Sequence, residues 1–152
     1  MFRLGKAAEY AIRGMLHLSL KTDGETCGIE EIAKAQGVPP AYLAKLFQSL
    51  ARKGFVKSFR GVDGGFILAK IPKDITLLEI IEAMEGRIYL NECLIYAGYC
   101  PKDNICPVHT VWKEAQKGFI DYLKGCTFEE LAKASKVKEN ARMDKEKLAI
   151  SI

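Results

Sequence analysis

The stretch that most restricts the fold of this chain is Ile29 to Ala69, where helical spacing of apolar residues gives way to short extended runs around clustered glycines. Ile29 to Gln36 predicts a short helix, with Ile32 and Ala33 inward, Glu30 and Glu31 near its positive end, and Gly37 as its stop. A second helix opens at Pro39-Pro40, where a proline costs no hydrogen bond because the first amides of a helix are unpaired anyway. It runs to about Lys53, with Leu43, Leu46, Phe47 and Leu50 as its apolar stripe and Tyr42, Lys45, Gln48, Ser49 and Arg52 toward the other side. After Gly54, Phe55 to Arg60 and Phe66 to Ala69 read as two strands around Gly61-Val62-Asp63-Gly64-Gly65. Two short helices joined by a glycine-containing turn and followed by a hairpin predict a winged helix-turn-helix. In that arrangement the second helix enters the major groove and the hairpin grips the phosphate backbone. The glycine turn is no nucleotide loop, because it lacks a following Lys-Ser/Thr and does not open a helix.

Charge supports a polyanionic partner for this half. Residues 1 to 71 hold 11 Lys and Arg against 6 Asp and Glu, whereas residues 72 to 152 hold 12 against 13, so the whole net charge of +4 originates in the first half. From Ile32 to Val62 there are six basic residues (Lys34, Lys45, Arg52, Lys53, Lys57, Arg60) and no acidic one. A solvated face is the plainer reading of such a run.

Around this stretch the chain supplies helices. Lys6 to Leu20 carries Ala7, Ala8, Ala11, Ile12, Met15 and Leu16 at helical spacing and reads as a scaffold helix. Thr76 and Glu79 form a capping-box pair ahead of Leu77, Leu78, Ile80, Ile81 and Met84, and Gly86 closes that helix. A longer helix from about Val108 to Gly125 carries Val111, Trp112, Ala115, Phe119, Tyr122 and Leu123, a stripe that is either core or a subunit interface. An interface is preferred, because two-fold dimers match palindromic operators. Thr127 and Glu130 repeat the capping spacing and start a last short helix, Phe128 to Ala134. From Lys136 the charged sequence without a core stripe is expected to be a flexible tail.

Between these helices lies Cys93 to His109, CLIYAGYCPKDNICPVH, with Cys93, Cys100, Cys106 and His109 separated by six, five and two residues. Gly98, Pro101 and Pro107 prevent it from running as one helix, so it reads as a ligand loop whose thiolates and imidazole suit soft or borderline metals or iron-sulfur clusters. Five cysteines without an apolar leader in MFRLGKAAEYAIRG argue for a cytoplasmic chain with reduced thiols rather than a disulfide framework. No run approaches the roughly 20 apolar residues of a membrane span. Cys27, Cys126 and His17 stand apart from the loop and read as non-ligands.

Arg3, Leu4, Tyr10 and Ala11, the run GVPPAYLAKLFQSLARKGFVKSFRGVDGGF, the helix TLLEIIEAMEG and the cysteine loop before Trp112 together resemble the IscR-type iron-sulfur cluster regulators. The likeness spans Met1 to about Ser135. It implies a homodimeric winged-helix transcription factor with a DNA-binding domain at 1–72, dimerisation helices at 73–135 enclosing a cluster loop at 92–109, and a tail at 136–152 outside it. The implied ligands are Cys93, Cys100, Cys106 and His109, and the implied DNA contacts are Pro40, Tyr42, Lys45, Gln48 and Arg52 on the helix with Arg60 and Gly61 at the wing tip. Related sensors use a carboxylate at the position of Glu9, donated to the partner subunit's cluster, so Glu9 is the alternative fourth ligand. Histidine suits a 2Fe-2S cluster, the favoured form, and a carboxylate a 4Fe-4S cluster. The first gap is one residue longer than usual in that family, and Pro39, Ala41 and Ala44 replace polar residues, which implies a different operator.

More than one chemistry fits the cysteines at this level. Structural zinc is one, although such sites normally include a close cysteine pair, which the loop lacks. A clusterless thiol sensor is another, and a small iron-sulfur electron carrier a third, though an electron carrier leaves the winged half without a purpose. No nucleophile elbow, metalloprotease motif or dinucleotide fingerprint is present, so neither an enzyme nor a small-molecule substrate is expected.

Overall fold

Helix boundaries in this chain coincide with residues whose backbone preferences demand them. The computed structural model describes residues 3–150. Residues 1 and 2, at the head of the expected DNA-binding segment, and 151 and 152, at the end of the expected tail, lie outside the described residues. The elements are α1 (Lys6–Ser19), α2 (Ile29–Gln36), α3 (Pro40–Arg52), β1 (Val56–Phe59), β2 (Gly65–Leu68), α4 (Leu77–Glu85), α5 (Pro107–Gly125) and α6 (Phe128–Ile150). The fold is mainly helical with one antiparallel hairpin, Val56 facing Leu68 and Phe59 facing Gly65. Gly37 ends α2 in the left-handed conformation at φ +64°, which leaves the chain free to turn into α3. Cys27 adds a bridge to the wing, exchanging backbone hydrogen bonds with Phe66 at 3.0 and 2.8 Å.

The main core is built from the apolar stripes read in the sequence. Met15 of α1, Ile32 of α2, Leu43, Phe47 and Leu50 of α3, Ile75, Ile80 of α4 and Phe128 of α6 are all fully buried in one cluster. Each such burial is worth roughly 1.5–3 kcal/mol before the entropy of ordering is subtracted. The Phe47 and Phe66 rings meet edge to face at 5.1 Å, tying the reading helix to the wing. A β-carbon on Gly14 would lie 2.4 Å from the Phe47 ring, so α1 and α3 cross where only a glycine fits. A smaller cluster, Leu78, Ile81, Ile88 and Leu123 with Phe119 and Ile120 against it, joins α4 to α5.

The two capping boxes sit side by side. Thr76 and Glu79 cap α4 reciprocally, Thr127 and Glu130 do the same for α6, and Thr76 bridges Thr127 directly. Leu77 N–H donates to the Cys126 carbonyl at 2.8 Å and Phe128 N–H to the Ile75 carbonyl at 2.9 Å. Phe128 and Ala132 thereby dock the first turns of α6 on the main core.

The last element corrects the sequence reading. Where a helix ending at Ala134 and an irregular tail were expected, α6 continues to Ile150. The segment contains no glycine or proline after Gly125, is rich in Ala, Glu and Lys, and forms i,i+4 pairs such as Glu129–Lys133 at 3.3 Å and Arg142–Glu146 at 3.6 Å. A missing apolar stripe means that its distal part buries no apolar face, not that it lacks helical propensity.

Candidate nucleic-acid interface and ligand loop

The inward stripe of α3 leaves the opposite face to solvent. Pro40, Tyr42, Lys45, Gln48 and Arg52 are all exposed, as are Arg60 and Gly61 at the hairpin tip. Gly61 has φ +105° and its carbonyl accepts from Gly64 N–H at 3.0 Å, which makes the tip a tight turn. Tyr42 is steadied from below by the Tyr10 ring, edge to face at 5.8 Å, so this side chain of the reading face is partly pre-ordered. Lys57, one of the basic run read in the sequence, points out from β1, and Val62, which that reading did not single out, stands fully exposed at the turn.

The loop between α4 and α5 is a series of short turns. Leu94, Tyr99, Asp103 and Ile105 donate backbone hydrogen bonds three residues back, and Gly98 N–H donates to Asp103 Oδ2 at 2.6 Å. Gln116 of α5 holds its start by accepting from Leu90 N–H at 3.0 Å. Cys93, Cys100 and Cys106 are free thiols, each half-buried. Cys106 precedes α5, and His109 lies in the first turn with its Nδ1 buried and without a hydrogen-bond partner. A buried, unpartnered imidazole nitrogen beside soft donors is chemically suited to a metal. Among the described residues no three of Cys93, Cys100, Cys106 and His109 come within 4.8 Å of one another.

Glu9 is engaged elsewhere in the same chain. Its carboxylate accepts from Lys6 at 2.9 Å and from Arg13 at 2.7 Å, and the Lys6 hydrogen bond, with both cations nearby, holds the carboxyl below its ordinary value. The α5 stripe divides in two. Leu123 is buried and Phe119 half-buried against α4, whereas Val108, Val111, Trp112 and Tyr122 face solvent, Val111 at 64% and Tyr122 at 74% exposure. Isolated exposed apolar residues are ordinary, but a row of them along one helix, continuous with Ile105 of the loop, is what interfaces look like before a partner covers them.

The donor group that does converge lies in the winged half. His17, in the last turn of α1, Cys27, on the bridge to β2, and Glu31, in the first turn of α2, place one ligand atom each within 4.8 Å of one another. The sequence reading of His17 as having no second ligand around it, and of Cys27 as isolated, is corrected on this point. Their separations of ten and four residues carry no pattern, because three different elements bring them together. Burial pushes the Cys27 thiol up to about 12. Lys21 pairs with Glu31, and that hydrogen bond holds the Glu31 carboxyl low.

No helix among the described residues is long and apolar enough to cross a membrane. The profile of the Rrf2 family, described as "Iron-dependent Transcriptional regulator", matches residues 4–134. The transcriptional regulator IscR of Photorhabdus laumondii is 30% identical over 146 residues, covering 95% of this chain and 88% of its own. Among solved structures, CymR, the global cysteine regulator of B. subtilis, superposes with a TM-score of 0.74 at 27% identity, covering 88% of this chain and 98% of its own. The IscR of T. potens gives 0.70 at 26% identity and 90% of both chains.

Proposed function

This chain belongs to the Rrf2 family of transcriptional regulators, which bind DNA through a winged helix-turn-helix, and from that premise we propose that it is an iron-sulfur-dependent regulator acting as a homodimer on operator DNA. The ligand set is Cys93, Cys100 and Cys106 with His109 as the fourth, Glu9 being the alternative, and a 2Fe-2S cluster is favoured. The observation that carries this reading is His109. Its Nδ1 is buried without a partner at the start of the same helix whose exposed stripe, Val108 to Tyr122, is suited to pair with a second copy. Glu9 is less suited, since each oxygen of its carboxylate already accepts from a cation, Lys6 on one and Arg13 on the other.

When bound, a cluster supplies a redox-responsive crosslink between the loop and the first turn of α5. The residues of the chain do the rest. Pro107 sets the direction of α5 immediately after Cys106, Gln116 ties the loop to that helix, and α4 lies between α5 and the winged core. Any rearrangement of the loop is therefore felt by α5 and, through it, by the spacing of two reading heads. A tenfold change in operator affinity requires only about 1.4 kcal/mol of coupling.

Anaerobic purification with iron and sulfide counts and absorption spectra, on wild type, His109→Ala and Glu9→Ala, tests the ligand assignment. The expected result is a coloured wild type, a His109→Ala form with an altered spectrum or a labile cluster, and an unchanged Glu9→Ala form. A colourless protein with one zinc per chain overturns it. A second reading is a clusterless thiol sensor, to which the likeness to CymR, a global cysteine regulator, lends support. It predicts iron-free protein whose operator affinity responds to oxidant and reductant. If Cys100→Ala matches loaded wild type on every operator, in affinity and salt slope, neither form of loop control holds.

A further inference from the structure

We propose that His17, Cys27 and Glu31 form a second metal site, for a single zinc-class divalent ion, inside the winged domain and separate from the cysteine loop. The three side chains offer one nitrogen, one sulfur and one oxygen, a donor set that suits zinc, with the fourth position left to water. His17 Nε2 is buried, has no hydrogen-bond partner, and stands 3.6 Å from Glu31 Oε1, too far for a hydrogen bond. From bond lengths of 2.0–2.3 Å, ligand atoms of a tetrahedral zinc lie about 3.5 Å apart. The His17–Glu31 pair already meets that spacing, and Cys27 Sγ, within 4.8 Å of both, needs a shift of at most about 1.3 Å, within reach of side-chain rotation.

The rest of the pocket is compatible with a cation. Gln36 Nε2 lies 3.4 Å from His17 Nδ1 and orients the ring; ligation through Nε2 requires the Gln36 amide to turn and present its oxygen to an Nδ1–H, because an amide N–H donating to Nδ1 leaves the ring proton on Nε2. The Cys27 thiol has only a weak 3.9 Å contact with the Gly28 carbonyl besides its interaction with Glu31. Lys21 is the group that opposes an ion, because its ammonium sits on Glu31; it also stands 3.8 Å from Glu25 and can transfer to that carboxylate. A divalent ion with one thiolate, one carboxylate and a neutral imidazole leaves the site uncharged, and the thiol proton is released to solvent on binding. Of the three donors Glu31 is exposed, which leaves the group open to solvent on that side.

An ion here would join the end of α1, the bridge that Cys27 makes to the wing, and the helix that leads into α3. It would brace the DNA-reading unit regardless of what the loop holds. The test uses the full chain with Cys93→Ser, Cys100→Ser and Cys106→Ser, stripped with chelator and titrated with Co²⁺ and then Zn²⁺. Expected are one Co²⁺ per chain with thiolate-to-cobalt charge-transfer and tetrahedral visible bands, displacement by Zn²⁺, and a Tm rise of about 5–10 °C at free Zn²⁺ a hundredfold above its Kd. His17→Ala, Cys27→Ala and Glu31→Gln should each weaken binding by at least about tenfold, as loss of even an outer-sphere partner does. Lys21→Gln should tighten it. Glu31 is exposed, so Glu31→Gln stays informative even if Cys27→Ala fails to fold. Absence of the bands, or bands that survive Cys27→Ala or Glu31→Gln unchanged, overturns the site. Neither outcome bears on the cluster in the loop, because the triple serine variant lacks its three thiol ligands.

Discussion

The two halves of the molecule handle their apolar residues in opposite ways. In the winged half, Met15, Ile32, Leu43, Phe47 and Leu50 are fully buried, and the apolar residues left exposed, among them Phe59 and Val62 on the hairpin and Ile71 after it, are scattered rather than aligned on one helix. In the half that follows α4, the loop and α5 leave Ile105, Val108, Val111, Trp112 and Tyr122 in solvent, and Leu123 alone of α5 is buried. The first half is thus complete within one chain. The second has the composition of a core with one wall missing, and our homodimer proposal supplies that wall from a second copy.

Truncation on the two sides should therefore be read by different instruments. Phe47→Ala removes a ring that touches α1, α3 and the wing, and should cost about 3–5 kcal/mol in denaturant unfolding. Trp112→Asp should leave the unfolding of the isolated subunit nearly unchanged, yet weaken self-association by about a hundredfold in sedimentation, because exposed aromatics on a helix face are the usual anchors of an interface. A large loss of subunit stability in Trp112→Asp would mean that the residue already belongs to the core of one chain.

The crossing at Gly14 sharpens the same contrast. Alanine is the better helix former, so Gly14→Ala on a solvent face would stabilise. Here the added carbon meets Phe47 Cε2 at 2.4 Å and Cζ at 2.7 Å, and a net loss of about 1–3 kcal/mol is expected by thermal or denaturant unfolding. Gly118, on α5, has nothing within 4 Å of the added carbon, so the same change there should be neutral or stabilising in the subunit.

These differences bear on what can be read without coordinates. Local signals carry well: Gly37 and Gly86 end their helices, Thr76 and Glu79 make the capping box that their spacing announces, and the hairpin closes on Gly61 and Gly64. Each depends on interactions within a few residues. The α6 extension does not carry, because charge without a stripe also marks disorder, whereas Glu, Lys and Ala form helix whether or not a face is buried. The His17–Cys27–Glu31 group is illegible for a different reason. Its donors sit on two helices and a bridge, and only the packing of α1 against α2 and the register of Cys27 on Phe66 bring them together. Loop ligands announce themselves by spacing; a site inside a fold does not.

Cys27 also gives the packed half a pH signature. Burial first, then the hydrogen bond and charge of Glu31, raise its thiol from an ordinary value near 9 to about 12. Below about pH 9 the thiol is protonated in folded and unfolded chains alike, and its full contribution to stability is present. Between about 9 and 12 the unfolded chain releases a proton that the folded chain keeps, so stability should fall with rising pH, by at most about 1.4 kcal/mol per unit. The comparison is urea unfolding of chelated wild type against Cys27→Ala across that window. The variant should lose part of the slope, and an identical slope would place the thiol in a wetter environment than the fold gives it.

The smallest effect tests the seam between the halves. Thr127 caps α6 through Glu130 N–H at 3.3 Å while its backbone bridges Thr76, so one short stretch joins the N-termini of α4 and α6. Loss of the hydroxyl in Thr127→Ala should cost about 1 kcal/mol, the usual worth of such a cap. The backbone bonds from Leu77 to Cys126 and from Phe128 to Ile75 do not need that hydroxyl, so α6 should remain docked through Phe128. Hydrogen exchange distinguishes the two contributions. Faster exchange confined to the first turn of α6 fits a cap alone, whereas loss of protection spreading into α4 would show that the hydroxyl also holds the seam.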